Sequence, residues 1–328
     1  MLHKINGKTI APIGLGCMSL SHAYGTPPDR KTGGKLLHQA LDLGYNHLDT
    51  ARIYGQGANE ALIGETLAGR RDAFLLASKC GIIIEGQARR IDCRPETIVK
   101  ALEISLSLLK TDHIDLYYLH RLDAQVPIED SVGALARAVE QGKIGAIGLS
   151  EMSASTIQRA AKIHPIAAVQ TEYSMWTRNP EIAVLEVCKA LNITFVAFSP
   201  LSRGAFSDSL NNPSLLPTDD LRLGLPRFQA DAWPDNHIAI VALRKLATSI
   251  GLTTAQLALA WVLSQGDYVV AIPGTANSIH LAENIAQQDM RLSSAVLENI
   301  QSILDAHPVR GHRYASAMQR AIDTEEFA

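Results

Sequence analysis

Short apolar runs alternate with longer amphipathic stretches along most of the chain. Six of these runs span four to seven residues each and are bounded by polar or turn-forming residues: 74–79, 114–120, 144–150, 167–170, 193–199 and 268–272. Runs that are apolar almost throughout are typical of parallel strands covered on both faces. Two weaker runs, 14–16 and 46–49, are candidates for the first two strands.

Stretches with helical periodicity lie between the predicted strands. Ile98, Leu102 and Leu109 share one helical face, and Pro95 stands at a suitable first turn. Counting all such pairs gives eight strand-then-helix units, and this order predicts a parallel sheet with helices outside it. On this pattern alone the sheet is either open or closed.

Two features favour a closed (β/α)8 barrel, the TIM barrel fold, as a single α/β domain over residues 1–328. Residues 14–19 end in serine and are not followed at once by a helix, so they do not form the glycine-rich dinucleotide-binding pattern. Eight units in about 290 residues also match such a barrel. Residues 3–13, with Asn6-Gly7 inside them, predict an N-terminal β-hairpin that covers the bottom of the barrel.

The gap between the seventh and eighth predicted strands is far longer than the others. Its part from 207 to 236 contains four prolines and has no sustained periodicity. Long loops in compact domains are usually functional. We expect this segment to form a flap over the barrel mouth, and a surface excursion without a role is the alternative.

Composition narrows the class of protein. The 30 lysines and arginines nearly balance the 33 aspartates and glutamates, which argues against an electrostatic nucleic-acid binder. No run of about 18 apolar residues predicts a membrane span, and the N-terminus lacks the apolar region of a secretory signal. The four cysteines show no metal-ligand spacing and suit a reducing compartment. We expect a soluble cytoplasmic protein without a metal site.

The predicted strand ends carry the chemistry, because active sites of such barrels lie where the strands end. The residues at or just after those ends are mostly polar: Asp49, Tyr54, Lys79, His120, Ser150, Gln170, Ser199 and Pro273. Random buried strand ends would be mostly apolar or small. Four of these side chains exchange protons, and they come from three successive predicted strands.

These four side chains suit general acid catalysis, with the phenol of Tyr54 as the acid. A phenol titrates near pH 10, which is too high for a well-matched acid at neutral pH. We expect the Lys79 ammonium to lower the pKa of Tyr54, with Asp49 as the counterion of Lys79. His120 can hydrogen-bond to a substrate oxygen. The set suits protonation of a carbonyl oxygen and contains neither a nucleophile nor a metal constellation.

The sequence at these positions resembles the aldo-keto reductase superfamily. Residues 49–55, Asp-Thr-Ala-Arg-Ile-Tyr-Gly, followed by Asn59-Glu60, are similar to that family's signature. The segments that end in Lys79 and His120 match as well, and so do 147–150, 170–174 and 198–201. The resemblance covers roughly residues 3–310, and several separated motifs occur in the correct order.

The resemblance implies a barrel that binds NADPH without a Rossmann domain and passes hydride to an aldehyde or ketone. It implies a catalytic tetrad of Asp49, Tyr54, Lys79 and His120, with Tyr54 as proton donor. The other implied contacts are with the cofactor: Ser150 and Gln170 on the carboxamide, Phe198 on the nicotinamide ring, Ser199, Leu201, Arg203 and Gly204 around the pyrophosphate, and Gly274, Thr275, Glu283 and Asn284 at the adenosine end. Tyr24 and Trp176 are candidates for the substrate pocket, and packing is the alternative for Trp176.

Two departures from the family pattern affect the cofactor site. Many members have Ser-Asn where this chain has Ser150-Glu151, and a carboxylate cannot donate to the carboxamide oxygen. We therefore expect Glu151 to face away or to bind the amide nitrogen. The family often places Lys and Arg where Gly274, Asn277 or His280 stand, and those cations pair with the 2′-phosphate. We expect NADP(H) with weak discrimination against NAD(H), supported in part by His280.

Other function classes are less consistent with the sequence. A cofactor-binding regulatory or redox-sensor protein on the same barrel would turn over poorly, but no partner-binding extension is visible. A barrel lyase or metal hydrolase needs more ligands than Asp49 and His120. The expected partner is a small carbonyl compound. The C-terminal residues 312–314 either fold over the mouth or are disordered, and the sequence leaves the oligomeric state open.

Overall fold

The computed structural model describes residues 3–22, 24–86 and 88–327. In this part of the chain eight parallel strands form one sheet: β3 (Leu15–Gly16), β4 (His47–Asp49), β5 (Leu75–Cys80), β8 (Leu116–Leu119), β9 (Ile147–Ser150), β10 (Ile166–Glu172), β11 (Thr194–Phe198) and β12 (Val269–Ile272). Two antiparallel hairpins accompany it, β1 (His3–Ile5) with β2 (Lys8–Ile10) and β6 (Ile82–Glu85) with β7 (Ala88–Ile91). All eight predicted strands are confirmed, with ends that differ by up to three residues.

The sheet closes between its first and last strands. Single parallel bridges join Ile13 to Ala271 and Gly16 to Gly274, and the Gly14 amide donates to the Ala271 carbonyl at 2.9 Å. Gly16 is required here, because a Cβ atom would lie 2.7 Å from the Ile272 carbonyl oxygen. The predicted (β/α)8 barrel is therefore confirmed.

The first hairpin covers the end of the barrel where the strands begin. Ile5 and Ile10 are buried against Leu75, Leu116 and other inward-facing barrel residues. Asn6 donates to the Gly145 carbonyl at 2.7 Å, just before β9 begins. This confirms the predicted cap and leaves the opposite, carboxyl end of the strands open for chemistry.

Helices surround the barrel: α1 (Arg30–Asp42), α2 (Ala58–Leu67), α3 (Pro95–Leu109), α4 (Ile128–Glu140), α5 (Ala154–Ala161), α6 (Val184–Ala190), α7 (Trp233–Ser249), α8 (Thr254–Leu263), α9 (Ser278–Ile285), α10 (Ser294–Ala306) and α11 (Ser316–Gln319). The predicted face of α3 is buried at Ile98, Leu102 and Leu109, and Pro95 begins the helix as expected. In the described residues no single helix is long and apolar enough to cross a membrane, although the sharply bent pair α7 and α8 together meets that length and composition.

The long segment after β11 lies against the loops at the carboxyl end of the barrel. Arg222 lies 5.3 Å above the Tyr24 ring and donates to the Arg203 carbonyl at 3.3 Å. Arg227 donates to the Thr177 hydroxyl at 2.6 Å. The predicted boundary was wrong at one end, because residues 233–236 form the first turn of α7, whose Pro234 suits a helix start. That the segment 207–236 moves as a flap stays a prediction.

Candidate active site

Neighbouring strands bring the four proton-exchanging side chains together. Asp49 ends β4, Lys79 lies near the end of β5, and His120 follows β8. These strands are adjacent in the barrel and point the same way, so their ends meet at one edge. Tyr54 begins the short turn after β4.

Buried hydrogen bonds fix the turn that carries Tyr54. Residues 55–57 all have positive φ values, between 54° and 98°. Asn59 then accepts from the Thr50 hydroxyl at 2.6 Å and donates to the Cys17 carbonyl at 2.8 Å. The next residue, Glu60, accepts from the Ser78 hydroxyl at 2.6 Å. The Asn59-Glu60 motif therefore supports the turn and does not itself reach the tetrad.

Lys79 is the centre of the tetrad. Its Nζ donates to Asp49 Oδ1, to the Thr50 carbonyl at 2.8 Å and to the Tyr54 hydroxyl at 3.4 Å. The Lys79 and Asp49 side chains are 0% and 3% exposed. The Tyr54 and His120 rings meet edge to face, with centroids 6.1 Å apart. The structure thus places the phenol, the ammonium and the imidazole in one cluster.

Charges around Lys79 keep it protonated despite its burial. Burial alone lowers the pKa of Lys79, but the Asp49 carboxylate and the Tyr54 oxygen outweigh that effect and raise it. An unpaired ammonium at this depth would lose its proton. Asp49 therefore has the predicted role of counterion.

The electrostatic environment of Tyr54 differs from the sequence prediction. Lys79 does pull the pKa of Tyr54 downward, yet burial and, to a smaller extent, the Asp49 carboxylate push it upward by more, so the net shift is upward. The prediction of a lowered value was wrong, because the sequence does not show how strongly the surrounding protein desolvates the half-buried phenol. At neutral pH Tyr54 carries its proton and can give it away.

His120 is neutral at physiological pH. Burial lowers its pKa well below the usual range, and the charges of Arg121 and Lys79 lower it further. A neutral imidazole has one N–H donor and one acceptor nitrogen. His120 can therefore hydrogen-bond to a substrate oxygen without acting as a charged acid.

Ser150 ends β9, and Gln170 lies two residues before the end of β10. Gln170 Nε2 donates to Asp49 Oδ2 at 2.7 Å, so its amide also orients the tetrad. The Ser150 hydroxyl is buried and has no hydrogen-bond partner among the described residues. A buried hydroxyl without a partner is costly and suits a ligand that supplies one. Both side chains fit the amide group of a nicotinamide.

The loop after β11 has an unusual backbone. Ser199, Ser202 and Arg203 have φ values of 49°, 48° and 58°, a region that side-chain-bearing residues rarely adopt. Such conformations concentrate at ligand sites. Arg203 is buried and donates to Glu172 at 2.6 Å and to the Tyr24 hydroxyl at 3.3 Å. A strained loop with a buried guanidinium fits a phosphate group.

The remaining predicted cofactor residues lie at the same end of the barrel or close to it. Phe198 ends β11 and packs partly buried against the barrel interior, and Leu201 and Gly204 flank the strained turn. Gly274 closes the barrel seam against Gly16, and the Thr275 hydroxyl accepts from the Asn277 amide at 3.0 Å. In α9, His280 is exposed, Glu283 accepts from the Thr253 hydroxyl, and Asn284 is buried.

The two predicted pocket residues have different surroundings. Tyr24 lies between the guanidinium groups of Arg203 and Arg222. Trp176 is only 4% exposed and packs in an aromatic cluster whose members are Phe206, Phe228 and Trp233. Its position is that of a packing residue, so the pocket-wall prediction for Trp176 gains no support.

Glu151 faces away from the site, one of the two orientations expected from the sequence. Its carboxylate is fully buried and accepts from Arg313 Nη2, from the Thr324 hydroxyl at 2.9 Å and from the Glu172 amide at 3.0 Å. Both Arg313 and Thr324 belong to the C-terminal tail, residues 310–327. The glutamate that stands in place of the family's asparagine therefore pairs with residues of the C-terminal tail.

The tail folds against the carboxyl ends of β9 and β10. Asp323 accepts from the Ser153 amide at 2.8 Å, and its own amide donates to the Glu151 carbonyl at 3.1 Å. Tyr314 is buried, with Arg203 5.0 Å from its ring centre. The sequence did not decide whether this tail folds over the barrel mouth or is disordered, and it did not predict the pairing of Glu151 with Arg313. The unusual glutamate at position 151 was the one signal that pointed to it.

Comparisons with known proteins agree with this geometry. The model of the Aldo/keto reductase family matches residues 12–305. A Schizosaccharomyces pombe protein named as an NADP(+) aldo-keto reductase is 41% identical over 318 residues, which cover 95% of this chain and 93% of that protein.

Solved structures show the same fold. A glycerol dehydrogenase from Gluconobacter oxydans superposes with a TM-score of 0.86 at 28% identity, covering 96% of this chain and 99% of that one. An aldo-keto reductase from Klebsiella pneumoniae, in complex with NADP and acetate, superposes with a TM-score of 0.71 at 25% identity, covering 96% and 98%. The chain belongs to the aldo/keto reductase family.

Proposed function

We propose that this protein is an NADP(H)-dependent reductase that converts aldehydes or ketones to alcohols, with Tyr54 as the proton donor. The observation that carries the proposal is the cluster in which the half-buried Tyr54 hydroxyl lies 3.4 Å from the buried Lys79 Nζ and beside His120. The naming of the S. pombe relative as an NADP(+) enzyme and the NADP complex of the K. pneumoniae protein support the choice of cofactor.

The residues present fit such a cofactor. Ser150 and Gln170 would hold the carboxamide, and Phe198 would contact the nicotinamide ring. The strained loop at 199–204, with Arg203, would hold the pyrophosphate, because guanidinium groups bind phosphate oxygens strongly. The residues 274–284 would face the adenosine. When bound, the reduced nicotinamide supplies the hydride.

The protein's own residues donate the proton and stabilise the charge that remains on the phenolate. Tyr54 donates its proton to the carbonyl oxygen as negative charge develops there. The Lys79 ammonium then stabilises the phenolate, and Asp49 keeps that ammonium charged. Neutral His120 donates a hydrogen bond to the same oxygen. These donors are held in place before the reaction begins, so they stabilise the transition state more than the ground state.

The adenosine end carries few cations to select NADP(H). Gly274, Asn277 and His280 stand where the family often has Lys or Arg, and Asn277 caps α9 by accepting from the Ile279 amide at 2.8 Å. His280 is exposed on the first turn of that helix, whose N-terminus attracts negative charge. We propose that these groups favour NADP(H) with only weak discrimination against NAD(H).

The test is steady-state turnover of a panel of aromatic, short aliphatic and pyridoxal aldehydes with NADPH and with NADH. We expect turnover with both cofactors and a modest preference for NADPH. Stopped-flow oxidation of bound NADPH separates the alternative, a regulatory or redox-sensor protein: tight binding with negligible oxidation by every aldehyde would overturn the reductase proposal. We further propose a cytoplasmic location, because all four cysteines are free and buried.

A further inference from the structure

The C-terminal tail is anchored beside Ser150, which ends β9. Asp323 of the tail accepts a hydrogen bond from the Ser153 amide at 2.8 Å. Glu325 accepts from the next amide, that of Ala154, also at 2.8 Å. These amides lie at the N-terminus of α5, where backbone donors have no partner within the helix and negative charge is favoured. The tail is therefore held next to the strand end proposed to contact the nicotinamide amide.

An earlier part of the tail contacts the arginine proposed to hold the pyrophosphate. Tyr314 is 4% exposed, and its ring centre lies 5.0 Å from the guanidinium carbon of Arg203 and 5.3 Å from that of Arg313. An aromatic ring at this distance attracts a guanidinium and limits the orientations that its plane can take. The orientation of Arg203 therefore depends on a side chain of the tail.

Glu172 connects Arg203 to the tail a second time. Its Oε2 atom accepts from Arg203 Nη2 at 2.6 Å and lies 3.6 Å from Nη2 of Arg313. Arg313 also pairs with Glu151, so cations and carboxylates alternate in the order Arg203, Glu172, Arg313 and Glu151. The four side chains are between 0% and 7% exposed. At this depth the loss of one charge leaves its neighbours without compensation.

The order of these charges sets the direction of the effect on an anionic ligand. With the tail docked, the two arginines balance the two glutamates. When the tail undocks, Arg313 leaves the group, and Arg203 remains as the one cation among the other three. Glu172 would then hold Arg203 more tightly, and its charge would repel a pyrophosphate beside that arginine. A docked tail should therefore raise the affinity for the cofactor.

We infer that Arg313 and Tyr314 are positioning residues for Arg203, so that docking of the tail and binding of the cofactor's pyrophosphate strengthen one another. The inference rests on the proposed function, since it takes Arg203 as the group that holds the pyrophosphate. It requires no contact between the tail and the cofactor. The coupling is reciprocal: a docked tail tightens cofactor binding by the same factor by which bound cofactor stabilises the docked tail.

The first experiment measures the dissociation constant of NADPH from the quenching of protein fluorescence. The variants are Tyr314→Leu, Arg313→Met and the conservative Arg313→Lys. We expect Tyr314→Leu and Arg313→Met to raise the dissociation constant by about fivefold or more, as is usual for coupled sites. Arg313→Lys keeps the charge and should recover part of the affinity. Arg310→Met is the matched control in the tail, since that side chain is 61% exposed, and it should bind NADPH like wild type.

A double-mutant cycle tests whether Tyr314 acts through Arg203. The dissociation constant of NADPH is compared for Arg203→Met and for Arg203→Met combined with Tyr314→Leu. If the tail acts through this arginine, the second substitution should not weaken binding further. A tail residue that only supports the fold would weaken binding by the same factor in both backgrounds. Equal factors would overturn the inference.

Amide hydrogen exchange of residues 312–324 gives a readout independent of turnover. Saturation with NADP(+) should slow this exchange by about fivefold or more in wild type and by less in Tyr314→Leu. If Arg313→Met or Arg203→Met does not fold, this comparison decides the question. Tail exchange that does not respond to NADP(+), or wild-type NADPH affinity in the folded tail variants, overturns the inference while the reductase proposal stands. Failure of wild type to bind NADPH overturns the proposed function as well.

Discussion

The buried pair between Glu151 and Arg313 makes a direct prediction about the C-terminal tail. The two side chains are 0% and 1% exposed, and Arg313 also lies 3.6 Å from Glu172. Replacing Arg313 by Met removes the cation and leaves Glu151 buried with only the Thr324 hydroxyl and one backbone amide as donors. The free energy of unfolding should fall substantially.

The magnitude follows from the environment of the pair. Removing one partner of a buried ion pair typically costs about 3–5 kcal/mol, because the other charge stays buried without compensation. The tail can also undock and expose Glu151 to water. The loss in the free energy of unfolding therefore cannot exceed the free energy that holds the tail in place. We therefore expect a loss of about 3 kcal/mol, accompanied by faster amide exchange in residues 310–327.

Arg310 provides a matched control in the same tail. It pairs with Asp235, but the two side chains are 61% and 50% exposed. Exposed pairs contribute about 0–1 kcal/mol, so Arg310→Met should change stability little. Urea unfolding followed by fluorescence, together with hydrogen exchange of the tail, measures both variants. Equal losses for Arg313→Met and Arg310→Met, or a tail that exchanges no faster, would refute the reasoning.

Three further predictions concern the site and the barrel. Lys79→Met should lower the turnover of a neutral aldehyde by about 10²-fold or more, because the phenolate loses its cation; steady-state assays measure it, and a normal rate would remove Lys79 from the mechanism. Gly148→Ala should destabilise the barrel by about 1–3 kcal/mol, since the added Cβ would lie 2.3 Å from the Tyr118 ring, and urea unfolding with no change would contradict this packing. Burial raises the pKa of Glu172, but Arg203 and other nearby arginines outweigh it and lower the value to about 2. The folded state therefore binds this proton less readily than the unfolded state, so the stabilisation is complete above the ordinary pKa and is lost as the pH falls from about 4.5 towards 2. Unfolding midpoints across that range should fall less steeply in Glu172→Gln than in wild type, and equal slopes would count against the pairing.

The sequence was most informative where geometry follows from chain order. Parallel strands in succession place their carboxyl ends side by side, so Asp49, Lys79 and His120 could be expected to meet before any coordinates were known. The same logic placed Ser150 and Gln170 on the next strands. Apolar runs marked these strands clearly because they are buried on both faces.

The sequence was less informative where burial or distant contacts decide. Periodicity cannot show that Trp176 packs among aromatic rings from a segment some 30 to 60 residues away. Likewise, nothing local to Glu151 identifies a partner 162 residues further along the chain. The direction of the Tyr54 pKa shift was wrong for a related reason, since it depends on a balance between desolvation and charge that only three-dimensional packing fixes.

The central claim is that Tyr54 supplies the proton to the carbonyl oxygen. The most direct measurement is single-turnover oxidation of bound NADPH by a neutral aromatic aldehyde in Tyr54→Phe, which keeps the ring and removes the hydroxyl. We expect the rate to fall by about 10²–10⁴-fold while the dissociation constant for NADPH stays close to that of wild type. An unchanged rate in this variant would contradict the account.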